Sequence, residues 1–260
     1  MFNVNNAQQY TLSIRVSADG FCFAAHHPQR PEEYAFQPYA SDPLLPALAN
    51  LKQAWETLPM LRQSYANVQM LLADAPCEVL PAELCGEWSG GSGEGLAVSV
   101  VSGRTALTLR FVPDRALLAW AEETFPGVRI MPGLYPVLRF ALGQGLTQTL
   151  CHLRGRSMDI ISMRDGRLQF VNTFDCDTAT TALYYLMGTW QTLGLSQTDD
   201  VLTLVGRSAC ERELKAKLSR FIRHIDEPRS ADLFHTTELA RLAAVPFDLQ
   251  ALVACGTIED

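Results

Sequence analysis

No stretch of about 18 consecutive apolar residues, the length that crosses a bilayer as a helix, occurs anywhere in the 260 residues. The opening run MFNVNNAQQYTLSIRV also lacks the basic start and apolar centre of a secretory leader. These two absences point to a cytoplasmic chain with no membrane as partner. Cationic excess is missing as well. The formal net charge is −7, which disfavours generic attraction to a nucleic-acid backbone, so no bulk nucleic acid is expected as a partner. Cysteine pairs at metal-ligand spacing are absent. The seven cysteines (Cys22, Cys77, Cys85, Cys151, Cys176, Cys210 and Cys255) are odd in number and never spaced CxxC, so neither a disulfide framework nor a zinc site is indicated. No thiol is persuasively paired with a histidine, which leaves a cysteine enzyme without support.

What is present is the composition of a folded α/β chain, 48% hydrophobic and 19% charged, and long enough for two lobes with their own cores. Tyr10, Leu12, Ile14 and Val16 alternate with Thr11, Ser13, Arg15 and Ser17 as a strand, Asp19-Gly20 turns the chain, and Phe21 to Ala24 returns. A third strand is predicted at Tyr34 to Tyr39. Ser41-Asp42-Pro43 reads as the start of a helix carrying Leu44, Leu48, Leu51 and Trp55 on one face. Val68 to Leu72 reads as a buried strand, Pro81 to Leu84 as a short helix, and Leu96 to Phe111 as a β-rich stretch. A helix led by Pro113-Asp114-Arg115, a strand at Val128 to Ile130 and a helix over Tyr135 to Leu142 complete the first half.

Gly143-Gln144-Gly145 then permits a change of direction, and the opening grammar repeats. Gln148 to Leu153 and Met158 to Met163 form a hairpin around Arg154-Gly155-Arg156-Ser157, and Asp165-Gly166 turns into Arg167 to Phe174. Asp177 or Thr178 caps a helix through Leu183, Leu186 and Trp190, and Val201 to Val205 is a strand ending at Gly206. A long helix is predicted over Ala209 to Ile225, and the tail from Glu238 to Cys255 reads as two short helices around Pro246. The expected division is 1–143 and 144–260.

Several constellations invite chemistry and fail on detail. The run GEWSGGSGEG from Gly86 to Gly95 has no lysine and leads into strand sequence, so it reads as a loop and not a phosphate-binding loop. Among the basic residues Arg212, Lys215, Lys217, Arg220 and Arg223, Lys215 follows Glu211 and Lys217 follows Glu213 by four positions, so the cluster reads as a solvated helix face and not a nucleic-acid surface. His26-His27 point to opposite faces of a strand and read as surface histidines, while Tyr184-Tyr185 and Trp190 read as lobe core.

The repeated pattern of strand, turn, two strands and helix resembles the duplicated lobes of actin, sugar kinases and Hsp70-type chaperones. More closely, the chain is similar to an uncharacterised Bacteroidetes family, number 3822 among the domains of unknown function. The strings that carry the likeness are Leu12-Ser13-Ile14-Arg15-Val16-Ser17 with Asp19-Gly20, then Val171-Asn172-Thr173-Phe174, Tyr184-Tyr185, and Leu202-Thr203-Leu204-Val205-Gly206. The resemblance implies the actin-like ATPase fold of ribonuclease H-like type, two similar lobes with a helix-flanked mixed sheet in each.

Active members of that fold hold magnesium and phosphate with a hairpin aspartate and nearby glycines in each lobe. On this sequence, Arg15 falls at the first aspartate, Ser17 at its glycine and His152 at the second aspartate. Arg154-Gly155-Arg156-Ser157 replaces the second glycine-rich turn, and Val205-Gly206-Arg207-Ser208 keeps one glycine of the adenosine signature. An alignment shifted by two or three residues would instead bring Asp19 or Asp159 forward. Loss of both acids implies a pseudo-ATPase with no catalytic residue, no metal and no cofactor. The resulting expectation is a noncatalytic interaction or scaffold module whose partner is another protein, self-association being an open option. The alternative is a degenerate ATPase that binds a nucleotide or anion among Arg15, Ser17, Asp19, Gly20, His152, Arg154, Gly155, Arg156, Ser157, Gly206, Arg207 and Ser208.

Overall fold

A computed structural model describes residues 4–18, 20–85, 95–102, 105–143, 148–234, 238–242 and 244–255. Asp19, most of the glycine-rich run at 86–94, and Gln144-Gly145 of the expected boundary lie outside the described residues.

Strands β1 (Thr11–Ser17), β2 (Gly20–His27) and β3 (Arg30–Tyr39) form an antiparallel meander. Helix α1 (Ala47–Thr57) leads to β4 (Asn67–Leu72), which pairs parallel to β1. An insertion follows, made of β5 (Cys77–Pro81), β6 (Leu96–Ser102), β7 (Thr105–Phe111) and α2 (Arg115–Thr124), its three strands forming a separate small sheet. Strand β8 (Arg129–Pro132) closes the first sheet in the order β3-β2-β1-β4-β8, and α3 (Leu134–Gly143) follows it.

The same construction then recurs. A meander of β9 (Thr149–Arg154), β10 (Ser157–Arg164) and β11 (Arg167–Asp175) is followed by α4 (Ala179–Thr192) and then by β12 (Val201–Arg207), parallel to β9. Helix α5 (Glu211–Leu218) precedes β13 (His224–Asp226), giving the order β11-β10-β9-β12-β13. The chain ends through α6 (Ser230–Leu233) and α7 (Phe247–Ala254).

Local chemistry accounts for many of these boundaries. Asp165 and Gly166 both hold positive φ (52° and 69°), as a tight hairpin twisted with its strands requires. The Asp114 carboxylate accepts from the Leu117 amide at 2.8 Å, and the Thr178 hydroxyl from the Thr181 amide at 3.1 Å, capping α2 and α4.

Period-two alternation sorts each central strand between two cores. Leu12, Ile14 and Val16 pack outward against Leu51 and Ala54 of α1 and Leu117 of α2. In the second lobe Cys151, Leu153 and Ile160 meet Ala182, Leu186 and Trp190 of α4 and Leu214 of α5. The inner faces of both sheets contribute to a third core with α3 and α7, joining Leu71, Met131 and Leu138 to Leu150, Ile161, Phe247 and Leu252. Thr11, Ser13, Arg15 and Ser17 therefore point inward and are buried too.

Five sequence expectations are corrected by tertiary contacts. Helix α1 starts at Ala47, not at Ser41-Asp42-Pro43: Pro46 adopts an extended ψ of 154°, the buried Asn50 amide binds the carbonyls of Asp42 and Leu45, and Leu44 stands 89% exposed. The expected helix over 209–225 ends at Leu218, because Leu202 and Thr203 on the open edge of β12 pair with Ile225 and Asp226 as a strand. Lys215 pairs with Glu227, brought near by that strand, although Lys217 keeps Glu213 at 3.4 Å. His26 is buried and not at the surface, because its side of β2, shared with Ala24, faces the inner core. Tyr184 is 74% exposed, since the buried face of α4 is set by Ala182, Leu186 and Trp190.

Candidate functional site: a basic cleft closed by internal carboxylates

Arg15 and His152 occupy equivalent places in the two lobes, each two residues before the strand end that pairs across its hairpin turn (Ser17 with Gly20, Arg154 with Ser157). Both side chains point into the inner layer, where they meet carboxylates of the same chain. The Arg15 Nε donates to both oxygens of Asp248, at 2.8 and 2.9 Å, across 233 residues of sequence. Asp248 is fully buried at the start of α7, and its Oδ1 also accepts from the Leu249 amide at 2.8 Å. Burial pushes this carboxyl up, but Arg15, with His152 and Arg154 behind it, outweighs burial and holds it below the ordinary aspartate value.

The second lobe uses cross-strand neighbours. Asp159 stands opposite His152 on one side and Thr173 on the other, and accepts from His152 Nδ1 (2.8 Å), Arg154 Nη2 (2.8 Å) and Thr173 Oγ1 (2.7 Å). Fully buried, it is nonetheless held well below the usual range, because Arg154 and the His152 hydrogen bond more than offset burial. An ionised carboxylate only accepts, so His152 carries its proton on Nδ1. Asp74, just past β4, accepts from the Ser17 hydroxyl (2.9 Å) and the Ala18 amide (2.7 Å) and lies 3.7 Å from Arg154, linking the hairpins of the two lobes.

Beside these pairs lies a cleft of about 790 Å³. Arg15, His152, Arg154, Gly155, Gly206 and Arg207 line it, so half of the sequence-predicted site is brought together. Its far wall is the tail, with Pro246, Phe247 and Asp248, and the Phe247 ring lies 5.3 Å from the His152 ring. Ser17, Gly20, Arg156, Ser157 and Ser208 are outside the lining. Ser17 is held by Asp74, Gly20 closes the first turn at φ 134°, and Arg156 makes a surface fork with Asp177 (2.7 and 2.6 Å). Ser157 faces Asp175 at 3.4 Å, and Ser208 lies 3.3 Å from the Cys210 sulfur.

Gly206 has a reason independent of any ligand. Its φ is +81°, and a Cβ there would fall 2.1 Å from the Leu153 carbonyl oxygen and 2.7 Å from the His152 ring. At the two positions set against the aspartates of active members stand a guanidinium and an imidazole, neither of which supplies the anionic oxygen that magnesium takes, and the Asp159 carboxylate accepts from three donors. Among the described residues, no three His, Cys, Asp or Glu side chains are grouped so as to hold a metal ion.

The residues missed by sequence reasoning are Asp74, Phe247 and Asp248. One signal for Asp248 existed: it is the lone charge in the apolar run Val245 to Ala254.

A family described as protein of unknown function (DUF3822) matches residues 1–91 and 102–225. The chain belongs to that family. Among solved structures, a Bacteroides thetaiotaomicron protein described as having an actin-like ATPase fold and unknown function superposes with a TM-score of 0.80 at 23% identity, over 98% of this chain and 99% of that one. A chain of the PilM–PilN type IV pilus biogenesis complex gives a TM-score of 0.55 at 13% identity, over 94% and 97%. The DUF3822 chain thus has the actin-like ATPase fold. The curated proteins contain no match. No helix among its described residues is long and apolar enough to cross a membrane.

Proposed function

We propose that this chain is a noncatalytic, cytoplasmic interaction module: an actin-like scaffold of two lobes, dividing near 143/144, that docks another protein and does not turn over ATP. One observation carries the reading. The basic residues that stand at the magnesium-holding positions are already engaged from within, Arg15 by Asp248 and His152 by Asp159, which also neutralises Arg154, all in fully or nearly fully buried contacts. A nucleotide phosphate would have to displace a carboxylate at each, leaving a buried charge unpaired. The PilM–PilN complex supports the reading at the level of the fold, which serves there in a protein assembly.

The second reading, an anion pocket, has one observation in its favour. Arg207 lines the cleft, is exposed, and its side chain makes no ion pair or hydrogen bond with any described residue. Thermal melts with ATP, ADP and AMP, with and without magnesium, separate the two. A ligand at a hundred times its dissociation constant adds about 2.7 kcal/mol, about 5 to 10 °C for a chain of this size. The interaction module predicts no shift. A magnesium-dependent rise defeats it, and a metal-independent rise abolished by Arg207→Ala establishes the anion pocket instead.

A further inference from the structure

The outer face of α4 carries an apolar groove of about 910 Å³, far from the cleft in lining and in chemistry. Leu183, Tyr184, Met187 and Gly188 run along it at helical spacing, with Leu195 and Phe221 on its flank and no charged residue in its lining. Tyr184 is 74% and Phe221 44% exposed, so two large aromatic side chains of one groove are left to water.

Two further features distinguish this groove from ordinary apolar surface. Gly188 sits inside α4, where glycine weakens a helix, yet its φ is not positive and a Cβ there would meet nothing within 4 Å. Nothing within the fold therefore requires glycine. With no side chain at Gly188, a backbone arriving from outside would come closest to the helix there. The floor of the groove includes Trp190, whose indole Nε1 is buried without an acceptor.

Charge at the rim indicates what arrives. Arg220 and Arg223 flank Phe221, are exposed, and make no ion pair with any described residue; the Arg223 amide donates to the carbonyl of Gln197, a lining residue, at 2.9 Å. Asp199, held low chiefly by the Ser196 and Thr198 hydroxyls, feels Arg223 only at a distance. In a chain of net charge −7, these two cations adjoin lining residues of an apolar groove, and the neighbouring acids Asp199 and Asp200 are taken up by hydrogen bonds from Ser196 and Thr198. Such complementarity acts within about 8 to 10 Å, so the overall charge does not cancel it.

We propose that this groove is the docking surface of the interaction module, and that it takes an amphipathic helix of a protein partner whose apolar stripe lies along α4 with carboxylates at the Arg220–Arg223 rim. The proposal rests on the interaction-module reading and gives it a place and a partner chemistry. A stripe at helical spacing on one helix is met by the ridge of another, with closest approach where side chains are smallest.

The test is selection of a phage-displayed library of random peptides, about 16 residues and roughly four helical turns long, against the full chain. Enriched peptides should share apolar residues three and four apart with Asp or Glu beside them. Their affinity, read by fluorescence anisotropy, should fall by roughly tenfold or more in Gly188→Leu and in Arg220→Glu/Arg223→Glu. Gly188→Ala should raise the melting temperature by about 2 °C, showing that the fold itself has no use for the glycine. No enrichment, peptides without that pattern, or binding indifferent to both variants overturns the proposal. So does self-association in sedimentation that Gly188→Leu abolishes, since a second copy would then be the occupant. A magnesium-ATP shift would defeat the interaction module and leave peptide binding measurable, so the two failures read differently.

Discussion

Arg15 and Asp248 show what the replacement of an acid by a base does at a buried position. A guanidinium stays charged wherever it is placed, so burying it in the inner layer requires a partner, and the partner comes from the other end of the chain. Asp248→Ala should therefore destabilise by about 3 to 5 kcal/mol, while Arg15→Met combined with Asp248→Leu should recover most of that, because the pair itself is nearly neutral against an apolar substitute. Urea midpoints of Arg15→Met, of Asp248→Leu and of the double decide it; additive losses would mean that the residues do not act as a pair. His26 makes a second, separable contribution. Burial first and His27 second push its pKa down to about 4 from 6.5, and its Nδ1 has no partner. The unfolded ring takes up a proton near 6.5 while the folded ring resists until near 4, so the unfolded state binds more protons across that window. Stability should fall as pH drops through it, by about 3 kcal/mol in all. The depressed carboxyls of Asp159 and Asp248 titrate in the unfolded chain near 3.8, so their contribution is lost only at lower pH. Stability measured from pH 7 to 4.5 should therefore slope downward in the native chain and flatten in His26→Gln.

Among the elements, those written in short-range chemistry were legible from sequence. The hairpin at Asp165-Gly166, the caps Asp114 and Thr178, and the alternation of β1 all depend on residues within a few positions of one another. Elements decided at long range were not. The run after Leu218 has a helical composition and becomes strand β13 only because β12 offers an open edge. Ser41-Asp42-Pro43 is a sound start signal by itself, and it is overruled by Asn50, which binds the loop before the helix begins. The site divides in the same way. Arg15 and His152 could be placed from the repeat of the hairpins, but their partners Asp248 and Asp159 follow from packing, and the burial of Arg15 depends on an element 233 residues away. Thr11, Ser13, Arg15 and Ser17 alternate with the apolar residues of β1 in the sequence, but that pattern does not reveal that both faces are buried.

At the scale of the molecule, the tail decides whether the two sheets behave as one body. Helix α7 is buried from Phe247 to Val253, packs on α3, and reaches β1 of the first sheet and β12 of the second. It supplies Phe247, Leu249 and Leu252 to the core shared by both lobes and Asp248 to Arg15. A detachable cover would have a solvated inner face, but this one has none. Truncation before Ala244 should therefore expose the inner faces of both sheets and leave Arg15 unpaired, a loss larger than the net stability of an ordinary domain. The full chain should melt in a single cooperative transition, with equal calorimetric and van't Hoff enthalpies, whereas the truncated chain should lose that transition and elute as aggregate in size exclusion. A truncated chain that stayed monomeric and melted near the native temperature would instead make the tail a displaceable lid over the cleft. The loss of cooperativity across both lobes, together with disappearance of the Arg15–Asp248 coupling, would assign it to the structure itself.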